Sequence, residues 1–323
     1  MSTATDHVKN SAAVAVAAII AIGANLALTG PAAAHPTITK AGVGFTSTPP
    51  TPWPKATSPL TNLADFPKLT ETQLATAISK ERAERAATPA QTDPLVELTT
   101  QETLADGRTR VSIYSLAPGA DPEKVADSLR AQGKKNVQLV RHTPASPIES
   151  GPQPMASTDC AYGQARTLSC PNAWWTNLGR TNPVVLFNDH SGAQWPVTDA
   201  VYKWNRTPNI DSWYTWNNCN QSNVHCVDVT SGSYGQGGWI GYTETTWNWG
   251  TSGAMFDAYV YLNDSYPPST FTRNNVVTHE LGHVLGLNHN QWNGDVMWWK
   301  ANMREDIGGE NPELLRQVYS VDR

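Results

Sequence analysis

Hydrophobic positions recur at helix and strand spacing along two stretches of the chain, which polar and proline-rich segments separate. In the first stretch the spacing predicts a helix over 71–87, with Thr70 and Gln73 forming a capping box at its start. Residues 95–141 follow with a hairpin, a helix and a closing strand. This first stretch therefore predicts a helix followed by a small α+β unit.

The second stretch runs from about residue 156 to the end and predicts more elements. In order they are a strand at 182–187, a helix at 196–205, strands at 213–216, 225–229, 239–245 and 255–262, a helix at 272–285, and a last helix from about 311. Gly286 ends the helix at 272–285. Strands and helices in this order indicate an α+β domain.

The first 34 residues predict an export signal outside the fold. Lys9 precedes a run of small and apolar residues, and an A-x-A cleavage site at 32–34 stands before His35. The alternative is an uncleaved membrane anchor. Cleavage is favoured because the apolar run is short for a spanning helix and Gly30-Pro31 interrupts it.

Composition divides the remainder into a pro-region and a larger domain. Residues 35–67 are rich in Pro, Thr and Ala and predict disorder, while 70–142 contain the helix and the small α+β unit. A second loose stretch, 143–155, predicts a linker that proteases can reach. Residues 156–323 then form the second domain, preceded by a pro-region over 35–155.

Charge and aromatic content narrow the classes of function. Charged residues make up 16% of the chain, the net charge is −5, and no long basic run occurs, so nucleic acid and acidic membrane surfaces are poor partners. Twelve of the 13 tryptophans lie after residue 170. They predict either a large aromatic core or an exposed binding face, and the core is favoured because buried aromatic rings need no further purpose.

The four cysteines suit an exported protein with two disulfides, for which three pairings exist. Local pairing, Cys160–Cys170 and Cys219–Cys226, is favoured because each bridge would close a polar loop. The alternative, zinc held by four thiolates, lacks the close pairs of cysteines that such sites use.

Residues 279–289 read HELGHVLGLNH, which concentrates metal-site chemistry in eleven positions. His279 and His283 are four apart and lie on one face of a helix, where they can bind one ion together with His289. Three imidazoles with an open fourth position make a catalytic zinc site, whereas a structural site closes all four. Glu280 can take the proton of water at that position.

This pattern, with Met297 downstream in an Asp-Val-Met sequence, resembles the metzincin clan of zinc endopeptidases. The resemblance covers about 180–323. The stretches that are similar to the matrixin branch of the clan are 238–243, 257–263, 275–283 and 305–307. The resemblance implies a metzincin-type catalytic domain, with a twisted, mostly parallel sheet, an antiparallel edge strand, an active-site helix and a C-terminal helix.

The resemblance also implies roles for individual residues. Zinc ligands would be His279, His283 and His289, and Glu280 would be the general base. Gly286 would allow the turn that returns the third histidine to the helix, and Met297 would form a hydrophobic floor under the metal. An extended peptide would add to an edge strand at 239–243. The implied substrate-binding residues are Trp239, Ile240, Gly241, Tyr242 and Trp299.

Several positions depart from the matrixin pattern. In the second domain only His190 and His225 remain for a second zinc, and neither is suitably placed, so one zinc is expected. No cysteine precedes Cys160, which removes the family's latency device; an aspartate or His142 is a candidate replacement. Some relatives have Tyr where this chain has Trp299. Calcium is a second candidate cofactor, although no loop has the regular spacing of oxygen ligands.

Together these observations predict a hydrolase: a secreted, extracellular, monomeric zinc metalloprotease made as a zymogen with a signal peptide, without stable membrane association. A different class remains open, a Trp-rich secreted binding module with a structural or vestigial zinc site. A third interpretation keeps the enzyme but treats 35–155 as a permanent accessory domain.

Overall fold

The computed structural model describes residues 67–89, 92–142, 160–168, 173–217, 219–247, 253–267 and 271–320. The predicted signal peptide at 1–34, nearly all of the 35–67 segment and the predicted linker at 143–155 lie outside the described residues. Within the described ranges, every helix is too short or too polar to cross a membrane.

The helices and strands of the described part follow the predicted order closely. They are α1 (Glu71–Ala87), β1 (Leu95–Thr103), β2 (Thr109–Leu116), α2 (Pro122–Ala131), β3 (Gln138–His142), β4 (Ala161–Tyr162), β5 (Ala165–Arg166), β6 (Val184–His190), α3 (Val197–Asn205), β7 (Asp211–Thr215), β8 (His225–Gly232), β9 (Trp239–Trp247), β10 (Met255–Asn263), α4 (Arg273–Val284) and α5 (Glu310–Val318). The short β4–β5 hairpin is the pair that the sequence pattern did not predict. The predicted capping box of α1 is confirmed, because Thr70 and Gln73 bond each other's backbone.

Eight strands form one mixed sheet in the order β3-β1-β2-β9-β10-β8-β6-β7. Strands β7, β6, β8 and β10 are parallel, and β9 is antiparallel to β10. This half matches the expected mostly parallel sheet with one antiparallel strand. The other half is antiparallel throughout, because β2, β1 and β3 continue the sheet beyond β9.

The expectation that 239–243 is an edge strand is wrong for the full chain. Strand β9 lies inside the sheet, because β2 pairs with it from Thr109↔Trp247 to Leu116↔Trp239. The strands of the predicted α+β unit thus extend the main sheet and do not form a sheet of their own. Residues before 143 consequently occupy the backbone edge where a peptide substrate was expected to bind.

The buried hydrophobic side chains form two clusters. The larger one packs α3, α4 and α5 against the parallel strands and contains Trp175, Trp195, Trp204 and Trp247. The smaller one joins α2 and β1–β2 to Trp239, Trp298 and Trp299. Eight tryptophans of the described residues are buried, which confirms that most of this aromatic content is core.

Helix α1 packs against α5 through charged groups. Glu81 accepts hydrogen bonds from the backbone N–H groups of Gly309 and Glu310, at 2.6 and 3.0 Å, and so caps the start of α5. The Glu310 carboxylate, fully buried, is bound by Arg82 and Arg85 at 2.9 Å. Residues before 143 therefore contact the rest of the chain at β2–β9 and at α1–α5, and Lys68 and Glu97 add ion pairs with Asp211 and Arg166.

Candidate metal site

Helix α4 places the first two histidines of the motif in the core. Its N-terminus is capped by the Thr272 side chain, which accepts from the backbone N–H of Asn275. The helix is buried on all sides from Asn275 to Val284, which is why its sequence shows almost no amphipathic pattern. The polar side chains that it carries are therefore enclosed in the fold.

The three imidazoles of the motif converge. The ring centroids of His279 and His283 are 4.6 Å apart, and that of His289 lies 5.3 and 5.0 Å from them. One ligand atom from each ring lies within 4.8 Å of the others, and at most 3% of any of the three residues is exposed. The geometry suits one metal ion shared by three nitrogens.

Hydrogen bonds determine which nitrogen each ring offers. Nδ1 of His279 donates to the backbone oxygen of Val296 at 2.7 Å, and Nδ1 of His283 donates to that of Leu287 at 2.8 Å. Within the described residues, Nε2 of His279 and Nε2 of His283 have no hydrogen-bond partner, and the backbone of Val96 lies against the His289 ring. Buried nitrogens without a partner are costly unless a ligand satisfies them, so this donor set fits zinc.

Burial keeps the imidazoles neutral, which is the form that binds metal. It lowers the pKa of His279 to about 4, against the opposing effect of the Val296 carbonyl. Burial likewise lowers the pKa of His283 and His289 well below the ordinary value, and the neighbouring rings add to the effect. All three rings are therefore unprotonated near neutral pH and ready to donate lone pairs.

The turn after α4 needs glycine at position 286. Gly286 has φ of +108°, and a Cβ built there would lie 2.7 Å from the backbone oxygen of Ala173. Tyr319 and Trp175 hold the preceding turn, because the tyrosine hydroxyl donates to Leu285 O at 2.9 Å and the indole donates to Val284 O at 2.8 Å. These contacts return the chain so that His289 faces the helix.

Met297 lies beside α4 and is fully buried. Gly282 lies on α4 between His279 and His283, and a Cβ built there would lie 2.4 Å from the Sδ of Met297. The backbone N–H of Met297 donates to Asp295 at 2.7 Å, and Asn311 holds that carboxylate with two further bonds. The methionine has a packing role there, and Asp295 holds its turn in place.

Glu280 points towards β9 and β2. Its Oε1 accepts from the Ser115 hydroxyl at 2.5 Å, and its Oε2 accepts from the Thr243 hydroxyl at 2.7 Å. Burial raises the pKa of Glu280 to about 8, and the two hydroxyl donors offset only part of that increase. Burial therefore increases the affinity of this carboxyl group for a proton.

The residues that the resemblance implied for substrate contact are covered in the structure, and Gly241 lies beside this carboxyl group. A Cβ at Gly241 would lie 2.6 Å from Glu280 Oε1, so the strand passes directly over the glutamate. The other four are buried or half-buried: Ile240 in the larger cluster, and Trp239, Tyr242 and Trp299 in or against the smaller one.

The sequence prediction missed Ser115, Thr243 and Asp295 as residues of the site. Thr243 lies within a stretch that was assigned to substrate binding, so its nearness to Glu280 could have been inferred from the strand alternation. Ser115 carries no local signal, because it stands 165 positions from the glutamate it contacts. His142, a candidate for blocking the metal, instead lies 3.3 Å from Glu97.

One of the two favoured disulfides is present in the described part: Cys219 and Cys226 are bonded, with Cα atoms 5.8 Å apart. Cys160 is also disulfide-bonded, and its predicted partner Cys170 lies outside the described residues. The remaining histidines have other contacts. His225 stacks on Trp175, and His190 lies 3.5 Å from Asp228.

The site is of the zinc metallopeptidase type. It combines a mixed sheet, a buried helix with two imidazoles, a third imidazole beyond a glycine turn, and a methionine turn. A family model described as pregnancy-associated plasma protein-A, a metzincin-type zinc peptidase family, matches residues 208–312, about a third of the chain. The match spans the whole motif and supports a zinc metallopeptidase. A comparison with curated proteins gave no match.

Proposed function

We propose that this chain is a secreted, zinc-dependent endopeptidase with Glu280 as its general base. The observation that carries the proposal is the convergence of three buried imidazoles, with Nε2 of His279 and of His283 left without partners, next to a carboxyl group whose pKa is raised. A site that only stabilised the fold would close its fourth ligand position with a protein side chain. Among the described residues, the metal-ligating group contains three histidines and no fourth ligand.

Each residue has a distinct task in this proposal. The three imidazoles hold zinc, which when bound supplies a Lewis acid for a peptide carbonyl and for water. Glu280 takes the proton of the attacking water and delivers it to the departing amine. Thr243 holds the carboxyl group in place by bonding both its Oε2 and the backbone oxygen of Glu280.

The substrate in this proposal is an extended peptide that pairs with β9. Main-chain pairing gives affinity with little demand on side chains. Trp239 and Tyr242 on β9, and Trp299 after the methionine turn, would border such a peptide. The finer assignment to a matrixin-like enzyme rests on the resemblance of stretches such as 238–243 and 257–263.

The proposal places the enzyme outside the cell as a monomer, after removal of residues 1–34. The Cys219–Cys226 disulfide suits an oxidising compartment. Low net charge and the absence of basic runs support a protein substrate over nucleic acid. Calcium is left out of the proposal, because no acidic grouping among the described residues accompanies the three histidines.

Replacement of Glu280 tests the mechanism. We expect Glu280→Gln to lower zinc-dependent cleavage of a peptide library at least about a hundredfold, since positioned proton transfer contributes that much or more. Zinc content, measured by metal analysis, should stay at the wild-type level. The assay uses the chain both intact and cut between residues 142 and 160.

Glu244→Gln is the matched control, because Glu244 lies on β9 and bonds Ser112 and Arg110, away from the histidines. It should cleave like the wild type. Undiminished cleavage by Glu280→Gln would remove the glutamate from the mechanism.

A further inference from the structure

Strand β2 follows the path of an extended peptide between β9, which passes over Glu280, and the segment after the methionine turn. On one side it pairs antiparallel with β9 over its whole length. On the other side, at its end, the backbone N–H of Leu116 donates to Trp299 O at 3.1 Å and its oxygen accepts from Ala301 N at 3.0 Å. The chain at Leu116 is therefore bonded to β9 and to the segment after the methionine turn.

The residue before Leu116 reaches the general base directly. Ser115 is 2% exposed, and its hydroxyl lies 2.5 Å from Glu280 Oε1. Thr243 occupies the other carboxylate oxygen, and Glu280 itself has no exposed surface. A water molecule that must give its proton to this carboxyl group has no access while β2 is in place.

Two further sets of contacts hold β1, β2 and α2 over the site. Glu97, on β1, accepts from Arg166 at 2.5 Å and from Asn288 at 3.1 Å, and Asn288 directly precedes the third histidine. Leu116 and the core side chains of β1 and α2 cover Trp298 and Trp299 in the smaller hydrophobic cluster. Removal of this cover would expose the apolar surface of Trp298 and Trp299.

We infer that residues 92–142, called here the N-terminal unit, form an intramolecular inhibitor. In it, β2 takes the place of the substrate, and the Ser115 hydroxyl donates a hydrogen bond to Glu280 where water would bind. This inference rests on the proposed function and adds its regulation. It assigns the blocking contact to a hydroxyl group on the base, while the backbone of Val96 in the same unit bonds the His289 ring. The chain is then latent until β2 leaves β9.

The same contacts explain why β2 would not be cut as a substrate. Hydrolysis needs a water molecule beside Glu280, and the Ser115 hydroxyl fills that place. Because the unit is part of the same chain, its effective concentration at β9 is in the millimolar range for a short linker, so even modest intrinsic affinity keeps the site covered.

The test compares two serine-to-alanine variants of β2 in the full chain. Ser115→Ala removes the hydrogen bond to Glu280, and Ser112→Ala is its matched control, a buried serine of the same strand whose bond to Glu244 is long, at 3.4 Å. Two readouts are taken: zinc-dependent cleavage of a fluorogenic peptide library, and amide hydrogen exchange over β9, with and without zinc. Exchange reports opening of the strand independently of catalysis.

We expect Ser115→Ala to raise both the cleavage rate and the exchange rate of the β9 amides that bond β2 about tenfold. A hydrogen bond to a carboxylate shifts an equilibrium by about that factor, and a small open fraction rises in proportion. Ser112→Ala should change both rates less than about threefold, because its bond is at the limit of useful length.

The outcomes separate the two proposals. Equal cleavage by the wild type and Ser115→Ala, in a protein whose activity depends on Glu280, would overturn the inhibitor and leave the enzyme standing. Faster exchange in Ser115→Ala with no cleavage by any form would instead overturn the proposed peptidase function. Unchanged exchange in Ser115→Ala would show that the hydroxyl does not hold β2 in place, which also overturns the inference.

Discussion

Two buried glutamates, Glu280 beside β2 and Glu310 beside α1, each contact residues before 143, and the two contacts use opposite chemistry. Glu280 receives only hydroxyl donors, so burial prevails and raises its pKa to about 8. Burial also acts on Glu310, but hydrogen bonds from Arg85 and Arg82 outweigh it and lower the pKa below the ordinary value.

The difference shows how one residue type serves two purposes in one fold. A carboxylate held by guanidinium groups stays ionised and fixes two helices together. A carboxyl group held only by hydroxyls can still exchange a proton, and its partners can leave without exposing an unpaired charge. The contact at Glu310 should therefore control stability, and the contact at Glu280 should control activity.

The largest expected effect in stability comes from breaking the ion pairs at α5. Glu310→Ala leaves Arg82 and Arg85 without their carboxylate and should lower the free energy of unfolding by about 3 kcal/mol, the lower end for a buried pair, since the arginines are partly exposed. Denaturant unfolding measures it. Glu313→Ala, which breaks a pair with Arg316 within α5, is the control and should cost less than about 1 kcal/mol. Equal losses in the two variants would contradict the structural role of Glu310.

Zinc should stabilise the protein through the site formed by Glu280 and the three histidines, independently of the contact at Glu310. At a zinc concentration a hundredfold above Kd, binding adds about 2.7 kcal/mol to the free energy of unfolding. The increment should be the same in Glu310→Ala as in the wild type, because Glu310 bonds Arg82, Arg85 and Gln164, and changes without shared partners are additive. It should vanish in His289→Ala. A smaller increment in Glu310→Ala would show that the two regions are coupled.

Gly286→Ala tests how the chain returns to the metal. The combination of φ of +108° and a Cβ 2.7 Å from Ala173 O should cost about 2 kcal/mol and weaken zinc binding, measured by unfolding and by zinc titration. Gly235→Ala is the control for backbone strain alone, because Gly235 has φ of +82° but no atom near its Cβ. The prediction would be wrong if both variants bound zinc like the wild type.

The smallest effect concerns pH. Burial, followed by the charge of Glu81, raises the pKa of Asp295 to about 8, and burial followed by the charge of Glu310 also raises that of Glu81. Groups with raised pKa in the folded state bind extra protons, so their contribution to stability is complete below the unfolded value near 4 and is lost as pH rises towards 8.

Glu81→Gln removes one of the two carboxylates that face each other beside Gly308 while keeping an acceptor for α5. Relative to the wild type, the variant should gain on the order of 1 kcal/mol at pH 8 compared with pH 5, measured by unfolding at both pH values. Glu84→Gln, on the same helix and paired with Arg304, is the control and should show no such gain. A gain at pH 5 instead would reverse the sign and refute the assignment.

Local features of this protein could be predicted from sequence, and long-range pairing could not. The capping box of α1 and the imidazoles of α4 are fixed by residues three or four positions apart, so spacing alone reveals them. The alternation of β2 indicated a strand but no partner, because a period of two is common to all strands. The order β2-β9 joins segments more than a hundred positions apart, and only the folded chain shows it.

The site residues also divide into those that the sequence motif reveals and those that come from distant parts of the chain. The metal-binding residues lie in one motif, whereas the groups that occupy or hold the general base come from elsewhere, Ser115 from β2 and Thr243 from β9. Serine and threonine in strands are too common to be recognised as functional in one sequence. The buried neighbours of Asp295 were equally hidden, since Glu81 and Asn311 approach it from α1 and α5.

Strand β2 is bonded along both of its edges, to β9 and to β1, so a cut between residues 142 and 160 would leave the severed piece attached by noncovalent contacts. Its release would then follow mass action: activity per molecule of cut protein would rise on dilution and fall again on concentration. The uncut chain carries its inhibitor with it and would behave alike at every dilution. After cleavage, the latency of this molecule would thus depend on the concentration of the cut protein; before cleavage it would not.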